Sequence, residues 1–207
     1  TSSYTGDTTV SDGTLRLVNS ASGNAIRGSN PAFNYSVANG ATLEFNRTGG
    51  ANGIDRFNLS GDGTFLATGT AEIVQTSAGS TVALGANGMI DIQGIYRFGA
   101  GGLGDWTSNL ADLNVDGTFR GEGSSIYVDA LTGTGNITIG GTGGGGALNG
   151  DGLTVGVNNG GGTFSGIISN ANNGNQFSLT KEGTGTQILS GANTYTGITT
   201  VNGGTLR

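Results

Sequence analysis

The sequence predicts an all-β fold: a right-handed parallel β-helix (a β-solenoid) of roughly nine coils, with little or no helix. Three observations carry this. Short apolar clusters of about three to five residues, rich in β-branched and aromatic side chains, recur along the whole chain. Gly, Asn, Asp and Ser fall between the clusters rather than inside them, as many short strands joined by many tight turns require. The glycines that open successive clusters commonly lie about 16 to 27 positions apart, with exceptions near Gly117–Gly123 and Gly152–Gly162, and a period near 20 residues marks a stacked coil. At about 22 residues per coil and ~4.8 Å between stacked strands, the 207 residues give a rod about 45 Å long.

The strands follow one formula, a Gly and a small polar residue leading into apolar alternation. The early ones are Gly13-Thr14-Leu15-Arg16-Leu17, Gly40-Ala41-Thr42-Leu43-Glu44-Phe45, Gly63-Thr64-Phe65-Leu66 and Gly79-Ser80-Thr81-Val82-Ala83-Leu84. Then come Gly117-Thr118-Phe119, Gly135-Asn136-Ile137-Thr138-Ile139, Gly152-Leu153-Thr154-Val155, Gly162-Thr163-Phe164, Gly185-Thr186-Gln187-Ile188-Leu189 and Gly204-Thr205-Leu206. Alternation of the Leu43, Phe45 kind sends one side chain inward and the next outward. Pairs such as Asp12-Gly13, Asn52-Gly53, Asp62-Gly63 and Asp116-Gly117 suit the corners, and stacked corners let Asn and Thr side chains form ladders between coils. Trp106, Asn109, Leu110 and Leu113 have helical spacing, but the run is short and flanked by glycines, so it reads as a turn or a single helical loop. Two stretches break the formula: Tyr96 to Leu113 reads as a loop inserted between coils, and Thr142 to Asp151 as a flexible corner. No domain boundary is visible, and residues 1–207 read as one continuous solenoid segment of a longer repetitive protein.

Composition removes several function classes. Net charge is −6 with 8 Lys+Arg, so there is no basic patch for a nucleic-acid backbone. There is no Cys and no His, which excludes His-based triads, thiol nucleophiles and His/Cys metal sites. No apolar run approaches a membrane-spanning helix, so direct membrane insertion of this segment is not expected. Thr1 is not followed by a basic-then-apolar leader, so for an exported protein this reads as an internal segment.

Carboxylate chemistry is the one enzymatic route the composition leaves open, because polysaccharide lyases and glycosidases use paired acids in a groove. The candidates are Asp55-Arg56, Glu72 and Asp91-Ile92-Gln93, for which surface ion pairing is the stronger expectation. No cofactor is expected. Calcium at Asp-rich corners is the softer alternative; Gly140-Gly141-Thr142-Gly143 imitates the start of the calcium nonapeptide and lacks its Asp. The glycine runs 99–104 and 140–146 lack the following helix and Lys of a phosphate loop. Among Tyr4, Tyr35, Tyr96, Trp106, Tyr127 and Tyr195, Trp106 is the candidate partner contact, weighed against a role in capping the apolar core.

The two ends match. Tyr4-Thr5-Gly6-Asp7-Thr8-Thr9-Val10-Ser11-Asp12-Gly13-Thr14-Leu15-Arg16 and Tyr195-Thr196-Gly197-Ile198-Thr199-Thr200-Val201-Asn202-Gly203-Gly204-Thr205-Leu206-Arg207 share ten of thirteen residues at an offset of 191. The segment 179–206, with Leu179-Thr180-Lys181-Glu182-Gly183 and Leu189-Ser190-Gly191-Ala192-Asn193-Thr194-Tyr195-Thr196-Gly197, resembles the autotransporter-associated β-strand repeat of bacterial passenger domains. Residues 4–17 resemble the tail of a preceding copy. The resemblance implies a parallel β-helix, export to the cell surface (outer-membrane anchored in the full-length protein), and a non-catalytic structural or adhesive stalk. Its partners would be adjacent repeats of the same protein or same-type subunits, with a surface glycan or protein as ligand. Two other readings stand beside it: a self-assembling extracellular fibre subunit stacked end to end, and a β-helix carbohydrate-active enzyme.

Overall fold

A computed structural model of the chain describes residues 6–19, 33–49, 54–55, 57–76, 80–100, 104–122, 125–139, 152–170 and 176–207. Every strand pairing among them is parallel, no residue among them is helical, and the strands form the three faces of a β-solenoid.

The first face stacks β1 (Thr8–Val10), β3 (Phe33–Val37), β6 (Phe57–Gly61) and β9 (Val82–Leu84). It continues through residues 105–111 to β14 (Ile126–Val128), β17 (Gly152–Val155), β20 (Ser178–Lys181) and β22 (Thr199–Val201). The second face stacks β2 (Thr14–Asn19), β4 (Thr42–Arg47), β7 (Thr64–Thr68), β10 (Met89–Ile92), β12 (Asp112–Val115) and β15 (Leu131–Thr132). The bridge from Gly133 to Phe164 carries that face on to β18 (Thr163–Phe164), β21 (Thr186–Leu189) and β23 (Thr205–Leu206). On the third face lie β5 (Ile54–Asp55), β8 (Glu72–Thr76), β11 (Ile95–Ala100), β13 (Thr118–Gly121), β16 (Asn136–Ile139) and β19 (Ile167–Asn170).

The expected architecture holds. The second face has nine strand levels among the described residues, joined by eight steps, so the chain makes slightly fewer turns than the nine expected. Turn length is uneven, and a mean period conceals that: Thr14 to Thr42 spans 28 residues, Thr42 to Thr64 spans 22, and Leu113 to Leu131 only 18. Corner length varies freely because parallel register is set by the apolar alternation, and a slip by one residue would turn every inward side chain outward.

That alternation is plain in β4, where Leu43, Phe45 and Arg47 are buried and Thr42, Glu44 and Asn46 are half-buried. The inward residues of all three faces meet in one core along the solenoid axis. Its early part is aromatic, with Tyr35, Phe45, Phe57 and Phe65 in edge or tilted contacts at 5.0–6.0 Å and Tyr96, Phe119, Trp106 and Phe98 continuing the series. Further along, Ile137, Ile139, Leu153, Val155 and Ile168 take over, with Phe164 and Phe177 among them. Each buried aliphatic or aromatic side chain contributes about 1.5–3 kcal/mol, so stability accumulates coil by coil.

The stretch from Tyr96 to Leu113 corrects one expectation. Rather than lying between coils, Ile95–Ala100 is a strand of the third face, paired with β8 and β13, and Asp105 bridges to Thr81 on the first. A register shift between Phe98 and Ala100 interrupts the regular alternation there, which hides the strand from a pattern reading. The helical spacing at Trp106 is a single turn, closed by the Asn109 N–H donating to the Trp106 carbonyl at 2.9 Å. The glycine runs at 140–146 and 101–103, with the calcium-like start at Gly140, lie outside the described residues.

Candidate interaction surfaces

Trp106, the candidate partner contact, lies in the apolar core rather than on the outer surface. Only 1% of it is exposed, and its ring packs edge-on against Phe98 at 5.3 Å and Phe119 at 5.9 Å, so it fills core where the first face meets the third. The Asp105 side chain shapes that corner by accepting the Thr107 N–H at 2.8 Å and hydroxyl at 2.6 Å. Tyr35 and Tyr96 are likewise buried, and Tyr127 is half-buried. Tyr195 packs edge-on to Phe177 at 5.3 Å with its hydroxyl 3.0 Å from Thr199 Oγ1; Tyr4 lies outside the described residues.

Of the carboxylate candidates, the structure describes the side chains of Glu72 and Asp91. Glu72 stands on the third face and Asp91 on the second. Asp55 pairs along its backbone with Gln75, while its side chain and Arg56 lie outside the described residues. Glu72 meets two arginines, Arg120 at 2.9 Å and Arg97 at 3.8 Å, and Arg97 donates to Glu122 at 2.6 Å. The result is a four-residue ion ladder spanning consecutive coils, as surface pairing predicted for Glu72. The hydrogen bond to Glu122 raises the Arg97 pKa above its ordinary value, against an opposing effect of burial. Asp91 instead accepts from Asn114 at 2.9 Å and Gln93 at 2.8 Å.

Ladders run along the outer surface at other places too. On the first face the Asn34 amide donates to Asp7 at 2.7 Å, Asn58 donates to Asn34 at 2.8 Å, and Asn58 accepts the Thr81 N–H at 2.8 Å. On the second, Thr132 donates to Asn114 at 3.0 Å, which in turn donates to Asp91. Thr68 donates to Glu44 at 2.7 Å and accepts from Asn46 at the same distance. The corner acids respond to their surroundings. Asp116 is held below the usual carboxylate range chiefly by the Asn114 amide, and Asp105 by the Thr107 hydroxyl. Burial pushes Asp112 up, with the charge of Asp129 adding to it.

Sequence reasoning missed the polar groups inside the coil. Gln75 is buried, donates to the Phe57 carbonyl at 2.6 Å and accepts the Tyr96 hydroxyl. Gln187 clamps the Leu131 backbone, donating to its carbonyl at 2.8 Å and accepting its N–H at 3.1 Å. Lys181 is fully buried, its ammonium donating to the carbonyls of Glu182 and Gly183. In each case a buried polar residue finds partners on the backbone or on another buried side chain, and the inward register of Gln187 and Lys181 was the available signal. No group of three or more acidic side chains among the described residues is placed to hold a metal ion.

Among the described residues the surface therefore offers hydrogen-bonded side faces, with Glu72 and Asp91 on different ones. The family described as passenger-associated-transport-repeat matches residues 1–17 and 179–207. The adhesin BmaC autotransporter of Brucella suis biovar 1 (strain 1330) is 32% identical over 232 aligned residues. That alignment covers 99% of this chain and 6% of the relative, so the chain spans a small part of that protein's length. No solved structure matches.

Proposed function

We propose that the chain, whose ends match the passenger-associated-transport repeat, is a segment of an autotransporter passenger at the cell surface or outside the cell and serves as a non-catalytic stalk whose side faces also make adhesive contact. The observation that supports this most is the coil-to-coil engagement of its outer polar residues. Asp7, Asn34 and Asn58 on one face and Glu72, Arg97, Arg120 and Glu122 on another use their charges and amides to hold neighbouring coils together. A glycosidase site needs two carboxyl groups flanking one scissile bond. A rod built this way carries load along its axis, and its flat Asn/Thr faces present repeated donors and acceptors to a glycan or protein surface.

The test joins shape to activity. Solution scattering of the purified chain is expected to give an elongated particle about 40 Å long, from nine levels ~4.8 Å apart. Incubation with acidic and neutral polysaccharides is expected to release no sugar, and immobilised glycans or matrix proteins are expected to retain the chain. Depolymerisation of any polysaccharide would overturn the non-catalytic reading. Failure to bind any surface would leave a stalk without the adhesive role.

A further inference from the structure

The matching ends occupy matching places in the solenoid. β1 and β22 both belong to the first face, β2 and β23 to the second, and the 191-residue offset superposes Thr8 on Thr199, Val10 on Val201 and Arg16 on Arg207. Gly13 and its counterpart Gly204 share the same left-handed backbone, φ +65° and +63°. The two copies differ in which side is covered. The earlier one shows what lies over the motif: β3 and β4, with Thr9 opposite Ser36, Val10 opposite Val37 and Arg16 opposite Glu44. The later one shows what lies beneath it: β20 and β21, with Lys181 opposite Val201 and Gln187 opposite Leu206.

We propose that the outer edge of β22–β23 is a docking site for the β3–β4 coil (Phe33–Arg47) of a second copy of this unit, joined in line. The 191-residue interval is then a translational unit of eight strand steps. The contact between β1–β2 and β3–β4 supplies its geometry. There the Val10 carbonyl accepts the Ala38 N–H at 2.9 Å, and the Gly13 carbonyl accepts the Thr42 N–H at 2.8 Å. The carbonyls of Val201 and Gly204 stand in those positions on the later copy.

Charge points the same way. Arg16 pairs with Glu44 at 3.1 Å, so a second copy brings a carboxylate to Arg207. Laying a β1–β2 coil on this edge would instead set Arg16 beside Arg207, like charge against like. The proposal is independent of whether the rod binds a ligand, because it concerns only how coils follow one another.

A tandem chain tests it, with residues 1–207 continued directly by residues 17–207 of a second copy, so that one motif serves both neighbours. The sequence has no cysteine, which leaves Thr200→Cys and Ser36→Cys of the second copy as the only thiols. Thr9, Ser36 and Thr200 all face outward, and adjacent parallel strands bring Cα atoms to about 4.8 Å, within reach of a disulfide. The expected result is near-complete oxidation of that pair. No disulfide is expected when Ser60→Cys of the second copy, one level further on, replaces Ser36→Cys. The longest dimension in scattering should grow by about 38 Å over the single chain, from eight steps of ~4.8 Å. Equal cross-linking at both positions, or none at either, overturns the proposal. In that case the two units would melt separately at the single chain's midpoint, as they would if the edge takes only an unrelated coil.

Discussion

Asp112 shows how a single residue can be set by a coil it does not belong to. Its carboxyl is pushed up by burial, and the nearby charge of Asp129, on the first face, adds to the effect. A carboxyl raised on folding binds its proton more tightly in the native state. Its contribution is therefore fully present below the unfolded pKa of about 3.9 and is lost as pH rises through the higher folded value. Asp112→Asn removes the buried charge and keeps an oxygen for the Ala130 N–H, which Asp112 accepts at 2.9 Å. The variant is expected to have a higher urea midpoint than the parent at pH 7, with the difference vanishing near pH 3. A midpoint difference unchanged between those pH values would show that the carboxyl is not perturbed. Nothing local in the sequence marks Asp112, because its perturber lies 17 residues away and meets it only through stacking. The role of Gly133 was hidden in the same way. At φ +110° it sits where an added Cβ would lie 2.2 Å from the Val115 carbonyl of the adjacent coil, whereas the sequence shows only another glycine at a corner.

The strands were legible where apolar alternation is clean. The segments Thr42–Arg47, Thr64–Thr68 and Asn136–Ile139 could be read directly because Leu43, Phe45, Phe65, Ala67, Ile137 and Ile139 fill their inward positions, with Arg47 the one polar exception. The third face was harder, since β8 and β11 place the polar Gln75 inward and carry a register shift at Phe98. That same face holds the ion ladder, and its energy depends on which member is removed. Glu122 is buried, so deleting its partner Arg97 strands a charge, whereas Arg120 is half-exposed and its pairing with Glu72 is screened by water. Arg97→Met is therefore expected to destabilise the chain by about 2–3 kcal/mol in urea titration. Adding Glu122→Gln should recover part of that loss, since the double variant no longer buries an unpaired charge. Arg120→Met is expected to cost less than about 1 kcal/mol. Equal losses from the two single variants would mean that burial at Glu122 does not govern the ladder.

At the scale of the whole molecule, the period in the sequence was enough to name the architecture but not to count closed turns. Coil length is set by corners, which vary from one level to the next, while the stack is set by inward residues, which do not. A solenoid of this kind has no single nucleus of contacts. Each level touches only its neighbours, so stability is a sum of coil terms and interface terms. Levels in the middle are held from both sides, whereas β1–β2 and β22–β23 are held from one. Local opening should follow that difference, with free energies rising from the ends toward the global value at the centre. Native-state amide exchange on the 207-residue chain checks this. Protection is expected to be greatest at β7, β10 and β12, where the aromatic core around Phe65, Tyr96, Trp106 and Phe119 is continuous, and least at β22 and β23. A uniform profile would indicate that the coils open as one cooperative unit, with coupling between levels strong enough to erase the difference between inner and outer coils. In that case a change at any one corner, such as Gly133, would be felt equally at every strand of the rod.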